Sequence, residues 1–164
     1  MIDIGKIYCS GTSTGDGLRY GQESGPDCHG NTPHAVQKSA SERRPIVVWN
    51  TTRTCNLKCV HCYTDSENIK YDNELTTEEG LRLIDELSDF GIPSLLFSGG
   101  EPFMRKDLFS LLEYAAKKNV RPVISTNGTL IDRETAQRVK DSGVVYVGIS
   151  LDGLEEINDK FRGV

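Results

Sequence analysis

Four short apolar runs, each leading through a polar loop toward a helical period, constrain the fold of this chain more than any other feature. Ile46-Val47-Val48-Trp49-Asn50 is a continuous run and suits a strand buried on both faces. Further strands are expected over 94–98, 120–126 and 144–151. Between the first two, Thr76-Thr77-Glu78-Glu79 makes a capping box, and Leu81, Ile84, Leu87 and Phe90 line one helical face. Gly91 and Pro93 end that helix. Leu108, Leu111, Leu112, Ala115 and Ala116 give a second amphipathic helix, with Lys117 and Lys118 near its negative end. Asp132 caps a third, running to about Asp141, and Gly143 stops it.

Strand, loop and helix in repetition imply right-handed βαβ units and a parallel sheet. After the fourth strand Asp152-Gly153 leads into another helix start, so the chain stops within a unit. Four strands do not close a barrel. The expected fold class is therefore α/β, the N-terminal part of a parallel (βα) partial TIM-type barrel truncated after about four strands. The alternative is a complete small open α/β domain.

Residues 1–44 break the pattern and are expected to form a largely irregular N-terminal arm, with residues 45–164 as the core. Ile2, Ile4, Ile7 and Tyr8 are compatible with an edge strand. Residues 10–44 are rich in Gly, Ser, Thr and Pro and lack an apolar period, so they read as poorly ordered, with a functional lid as the alternative. The net charge of −5 argues against a nucleic-acid partner held by bulk positive charge. No apolar run approaches the ~18–20 residues of a membrane helix, so no membrane association is expected. The N-terminus does not read as a signal peptide.

Cys55, Cys59 and Cys62 form C-x₃-C-x₂-C directly after the first strand. The spacing suits metal or cluster ligation rather than disulfides, and free thiolates point to the reducing cytoplasm. Thiolates are soft donors for Fe–S clusters and for zinc. Three can hold three corners of a [4Fe–4S] cube and leave one iron open. Structural zinc wants a fourth ligand; His61 is badly placed beside Cys62, while Cys28-His29 could contribute one from the arm. Cys9 and Cys28 are left over and read as plain free thiols, with an approach of Cys9 to the substrate or a cluster as the alternative. Trp49 and Tyr63 are expected to pack in the barrel or border the site.

Ser98-Gly99-Gly100-Glu101-Pro102 ends the second strand. Paired glycines let backbone approach a ligand, Glu101 offers an acceptor to an ammonium group, and Pro102 stiffens the turn. Ser125-Thr126-Asn127-Gly128 and Ser150-Leu151-Asp152-Gly153 end the third and fourth strands, and such polar groups on one rim suit a ribose and an amino-acid carboxylate.

Thr54 to Tyr63 together with Gly99-Gly100-Glu101-Pro102 closely resemble the radical S-adenosylmethionine (SAM) enzymes, and the resemblance covers residues 45–164. It implies a [4Fe–4S] cluster on Cys55, Cys59 and Cys62, with the SAM amine and carboxylate on the open iron. Reductive cleavage of SAM would give a 5′-deoxyadenosyl radical that takes a hydrogen from the substrate. Carried over, Gly99, Gly100, Glu101 and Pro102 receive the methionyl amine. Ser125, Thr126, Asn127, Ser150 and Asp152 line the carboxylate and ribose, and His61 sits beside the adenine where the family usually has an aromatic residue. Ile4 to Cys9, Leu18 to Gly21 and Pro45 to Asn50 are similar to the start of the heme-pathway members. Among them, a deacetylase turns two acetate side chains of 12,18-didecarboxysiroheme into methyls in heme biosynthesis, giving iron-coproporphyrin III, and a sister in heme d1 formation removes propionates. The implied partners are an iron tetrapyrrole and an electron donor such as ferredoxin or flavodoxin. The implied cofactors include a second Fe–S cluster beyond Val164. Arg19, Arg43, Arg44, Arg53 and Arg105 are candidates for porphyrin carboxylates. Peptide-modifying members of the family and a non-catalytic zinc-binding module remain as alternatives.

Overall fold

In the computed structural model of the chain, residues 44–164 are described. The expectations for the N-terminal arm, including the edge strand and the roles of Cys9, Cys28, Arg19 and Arg43, lie outside them. Four strands, β1 (Val47–Thr52), β2 (Ser94–Gly99), β3 (Arg121–Thr126) and β4 (Tyr146–Ile149), pair side by side in the order β1-β2-β3-β4. Every pairing is parallel. Helices α1 (Thr77–Phe90), α2 (Leu108–Lys117) and α3 (Arg133–Asp141) fill the crossovers, and α4 (Glu155–Arg162) follows β4. A 3₁₀ turn at Pro102–Met104 precedes α2. Among the described residues no helix is long and apolar enough to cross a membrane.

Register explains the core. Trp49, Phe97 and Ile124 pair across three strands and share one face. That face packs on Ile84 of α1 and on Leu111, Leu112 and Ala115 of α2, all fully buried. The opposite face is open at β1, where Val48 is 55% exposed. The expected strand buried on both faces is therefore corrected: β1 alternates, because among the described residues β2 alone pairs with it and nothing covers Val48. β4 is also shorter than the apolar run suggested, since its ladder with β3 ends at Ile149.

Local chemistry sets the helix ends. Glu79 N–H donates to Thr76 Oγ1 at 3.3 Å, and Thr76 N–H donates to Glu79 Oε2 at 2.9 Å, the reciprocal capping box. Asp132 Oδ1 accepts from Thr135 N–H at 2.7 Å at the start of α3. Asp107 behaves differently at the start of α2, where its side chain caps no helical amide. It accepts from Thr77 Oγ1 at 2.7 Å and from Arg105 Nε at 2.8 Å, pinning α2 to α1.

Candidate functional site

The site grows from the C-terminal ends of β1, β2 and β3, where parallel α/β folds open toward ligands. β1 and β2 shift register between Asn50 and Thr52, bringing Thr52 opposite Gly99. Gly100 N–H then donates to Thr52 O at 2.7 Å, and Glu101 N–H to Thr54 O at 2.9 Å. A Cβ on Gly99 would collide with Thr52 O, and one on Gly100 would lie 2.6 Å from Arg53 O. The paired glycines thus admit the chain's own backbone as it leaves β1. Close approach to a ligand, the role expected for them, is not what these contacts use.

The cysteine loop folds back on itself. Cys55 N–H donates to Glu67 O at 3.0 Å, and Cys62 N–H to Cys59 O at 3.2 Å. Arg53 reaches Thr64 O at 3.0 Å and Asp65 O at 2.9 Å, closing the loop's trailing limb. Arg105 donates to Thr51 O at 2.7 Å and Leu75 O at 2.8 Å, with its side chain only 7% exposed. Arg105 is thereby committed to the fold, which corrects its candidacy for porphyrin carboxylates, whereas the Arg53 side chain stays 48% exposed. Arg44 is exposed.

All three cysteines are free thiols. Cys55 Sγ accepts from Leu57 N–H at 3.4 Å and lies 3.9 Å from Asn127 Nδ2. Cys62 Sγ accepts from Ser66 N–H at 3.4 Å and lies 3.3 Å from Thr64 Oγ1. Burial raises the Cys55 thiol, and nearby Glu101 and Cys59 add to that against the Leu57 and Asn127 donors. Burial alone would raise Cys62 too, but the donors from Ser66 and Thr64 outweigh it and bring it down to about 7. Among the described residues no trio of His, Cys, Asp or Glu converges tightly enough to hold one metal ion. A zinc ion needs its ligands gathered on a single point, whereas a cube takes each thiolate on a separate iron. Three free thiols with hydrogen-bond donors on their sulfurs are a donor set that fits the cube.

Glu101 is fully buried and faces inward. Its Oε1 accepts from Thr126 Oγ1 at 2.8 Å and Phe103 N–H at 3.2 Å, and its Oε2 accepts from Asn127 N–H at 2.8 Å. Desolvation pushes this carboxyl up, against those three donors. Asn127 in turn donates to Asn56 Oδ1 at 2.9 Å, and Asn56 donates to Thr129 Oγ1 at 2.8 Å. A continuous chain of polar contacts therefore joins the ends of β2 and β3 to the cysteine loop. Pro102 is buried at the start of the 3₁₀ turn.

The other expected residues divide. Ser125 pairs with Gly148, one position before Thr126 and hence on the opposite face of β3. Ser150 joins the rim through its backbone, donating to Thr126 O at 3.0 Å. Asp152 Oδ2 lies 2.6 Å from Arg162 Nη2 and 3.5 Å from His61 Nε2. The His61 ring sits 5.7 Å from that of Phe161, so its aromatic contact here is with α4. Trp49 packs on Phe97, whereas Tyr63 is 78% exposed and packs in no core. The sequence reading missed Asn56, Thr129 and Arg162. Asn56 lies inside the cysteine motif and could have been flagged; nothing local marks Arg162. A cleft of about 460 Å³ runs beside the end of β1, lined by Arg53, Thr64, Tyr71 and Glu74 and by none of the three cysteines.

The chain is similar to several known proteins. The radical SAM superfamily profile matches residues 49–164. The Fe-coproporphyrin III synthase of Methanosarcina barkeri is 55% identical over 164 residues, all of this chain and 40% of that protein. The pre-heme d1 synthase of Dinoroseobacter shibae is 46% identical over 121 residues, 74% of this chain and 30% of that protein. The chain thus spans well under half the length of either relative. The crystal structure of Streptococcus suis SuiB bound to S-adenosylmethionine superposes with a TM-score of 0.62 at 26% identity, over 73% of this chain and 28% of that one. With a profile that begins in β1 and runs to the last residue, and a relative more than half identical throughout, the chain belongs to the radical SAM superfamily.

Proposed function

We propose that this chain forms the cluster- and SAM-binding part of an enzyme that acts on an iron tetrapyrrole in heme biosynthesis, removing two acetate side chains of didecarboxysiroheme so that methyls remain at those positions. The observation that carries the substrate is the 55% identity to an Fe-coproporphyrin III synthase along the whole chain. When bound, a [4Fe–4S] cluster with SAM supplies an electron to the sulfonium–C5′ bond and so a carbon radical that abstracts hydrogen. The chain's own residues provide the setting. Cys55, Cys59 and Cys62 hold the cluster, and the donors on Cys62 outweigh its burial and favour the thiolate a metal needs. The turn from Gly99 to Pro102, whose Gly100 and Glu101 amides are tied to the chain leaving β1, would receive the methionyl amine. Glu101 keeps that turn in place through Thr126 and Asn127 rather than by reaching out. Asn127, Ser125, Ser150 and Asp152 line the side that would receive carboxylate and ribose, with His61 at its margin. The same reading adds a low-potential donor such as ferredoxin or flavodoxin, a second cluster in the part the relatives have beyond this chain, and a cytoplasmic location.

The experiment is anaerobic turnover of the reconstituted full-length protein with didecarboxysiroheme, SAM and reductant, followed by mass spectrometry of the tetrapyrrole. Loss of two acetate side chains as iron-coproporphyrin III forms is expected. An unaltered tetrapyrrole beside a peptide that gains a crosslink would move the protein to the peptide-modifying members.

A further inference from the structure

α4 closes onto the cysteine loop through several independent contacts. Val60 N–H donates to Phe161 O at 2.9 Å. Gly163, with φ 69°, passes so near Lys58 O that a Cβ would collide with it. Between these two residues, the Arg162 side chain turns into the loop and is only 13% exposed. Its Nη2 is held by Asp152 Oδ2 at 2.6 Å, and its Nη1 lies 3.9 Å from Cys59 Sγ. Its Nε is buried with no partner. Cys55 and Cys62 each have a backbone N–H on their sulfur. For Cys59 the donor is this guanidinium.

We propose that Arg162 is a positioning residue that sets the charge at the Cys59 thiolate, and through it the reduction potential of the cluster. The assignment rests on the cluster reading above. A cationic donor on a ligating sulfur draws electron density from the metal and stabilises the reduced state, and such hydrogen bonds are among the levers that set cluster potentials. Asp152 supplies the geometry. It fixes one edge of the guanidinium and leaves the other toward sulfur. His61, 3.5 Å from Asp152 and against Phe161, completes the clasp.

The test is a redox titration of the anaerobically reconstituted protein with dithionite, monitored by EPR, alongside iron and sulfide analysis and SAM binding. Arg162→Gln is expected to keep its iron and sulfide, to move the midpoint to a more negative potential, and to change the EPR signature of the reduced cluster. Arg162→Lys, which keeps the cation, is expected to recover part of that shift. An Arg162→Gln protein with a full cluster and a wild-type midpoint overturns the proposal. So does weakened SAM binding at an unmoved midpoint, which assigns the guanidinium to the ligand instead. Loss of the cluster in both variants also overturns it, because a charge role survives lysine and a purely structural clasp does not. Wild-type protein that takes up no iron and sulfide brings down the proposed function as well, whereas an intact cluster with an unmoved midpoint brings down this assignment alone.

Discussion

Glu101 shows how far a residue's chemistry departs from its motif. A carboxylate on a ligand-facing turn invites the idea of an acceptor for an ammonium group. Here both oxygens are engaged by Thr126, Asn127 and Phe103 in a fully buried position. Glu101→Ala is therefore expected to destabilise the fold by about 1.5–3 kcal/mol, the range for buried hydrogen bonds to a charged group left unmade. Chemical denaturation of the two proteins measures it; an unchanged midpoint would show that the brace carries no weight. The thiols carry a second prediction. Cys55→Ala, Cys59→Ala and Cys62→Ala should each abolish a cluster of about four irons and four sulfides on anaerobic reconstitution. A normal cluster retained in any single variant would remove that cysteine from the ligand set. The motif spacing was enough to single out these three residues as candidates, because cysteines so close in sequence remain close in space. It was not enough to find Arg162, whose contact with Cys59 spans 103 positions and depends on where α4 lands.

At the scale of elements, the start of α2 is the informative junction. Asp107 caps no amide of its own helix and joins Arg105 and Thr77 instead. Burial would raise its carboxyl, but the Arg105 and Thr77 hydrogen bonds outweigh it and hold the group below the usual carboxylate value. A folded-state value below the unfolded one stabilises the protein above the unfolded pKa, and the contribution is lost as pH falls through the folded value. Thermal melts should therefore lose stability on the acid side, and Asp107→Asn should flatten that decline while lowering the melting temperature at pH 7. Parallel acid profiles for both proteins would contradict the assignment. The core behind this junction is less subtle. Leu112 is fully buried beneath the sheet, so Leu112→Ala should cost about 2–5 kcal/mol. Helix ends were legible in the sequence because a cap is a local hydrogen-bond pattern; Thr76, Glu79 and Asp132 all cap as their spacing implies. Asp107 was not, because its partners come from α1 and the preceding turn.

For the whole molecule, the side of β4 and α4 carries Ile149, Leu151, Leu154 and Ile157, all exposed, with Leu154 85% accessible. Apolar surface of this kind promotes association. The protein containing residues 1–164 is expected to bind an apolar dye and to self-associate with concentration. Leu154→Lys with Ile157→Lys should reduce both without changing iron content, read by dye fluorescence and light scattering. Equal association in the double variant would place the sticky surface elsewhere. The sequence by itself determined the α/β alternation, the parallel sheet, the helix caps and the spacing of the three candidate cysteines. All of these are short-range patterns that one segment can specify alone. Only the tertiary structure decided that β1 keeps one face open, that Gly99 and Gly100 admit the chain's own backbone, that Glu101 points inward, and that Arg162 meets Cys59. Each of those depends on how strands register and on where a crossover returns, and contacts between distant segments are set by the packing of the whole sheet rather than by any one stretch of it.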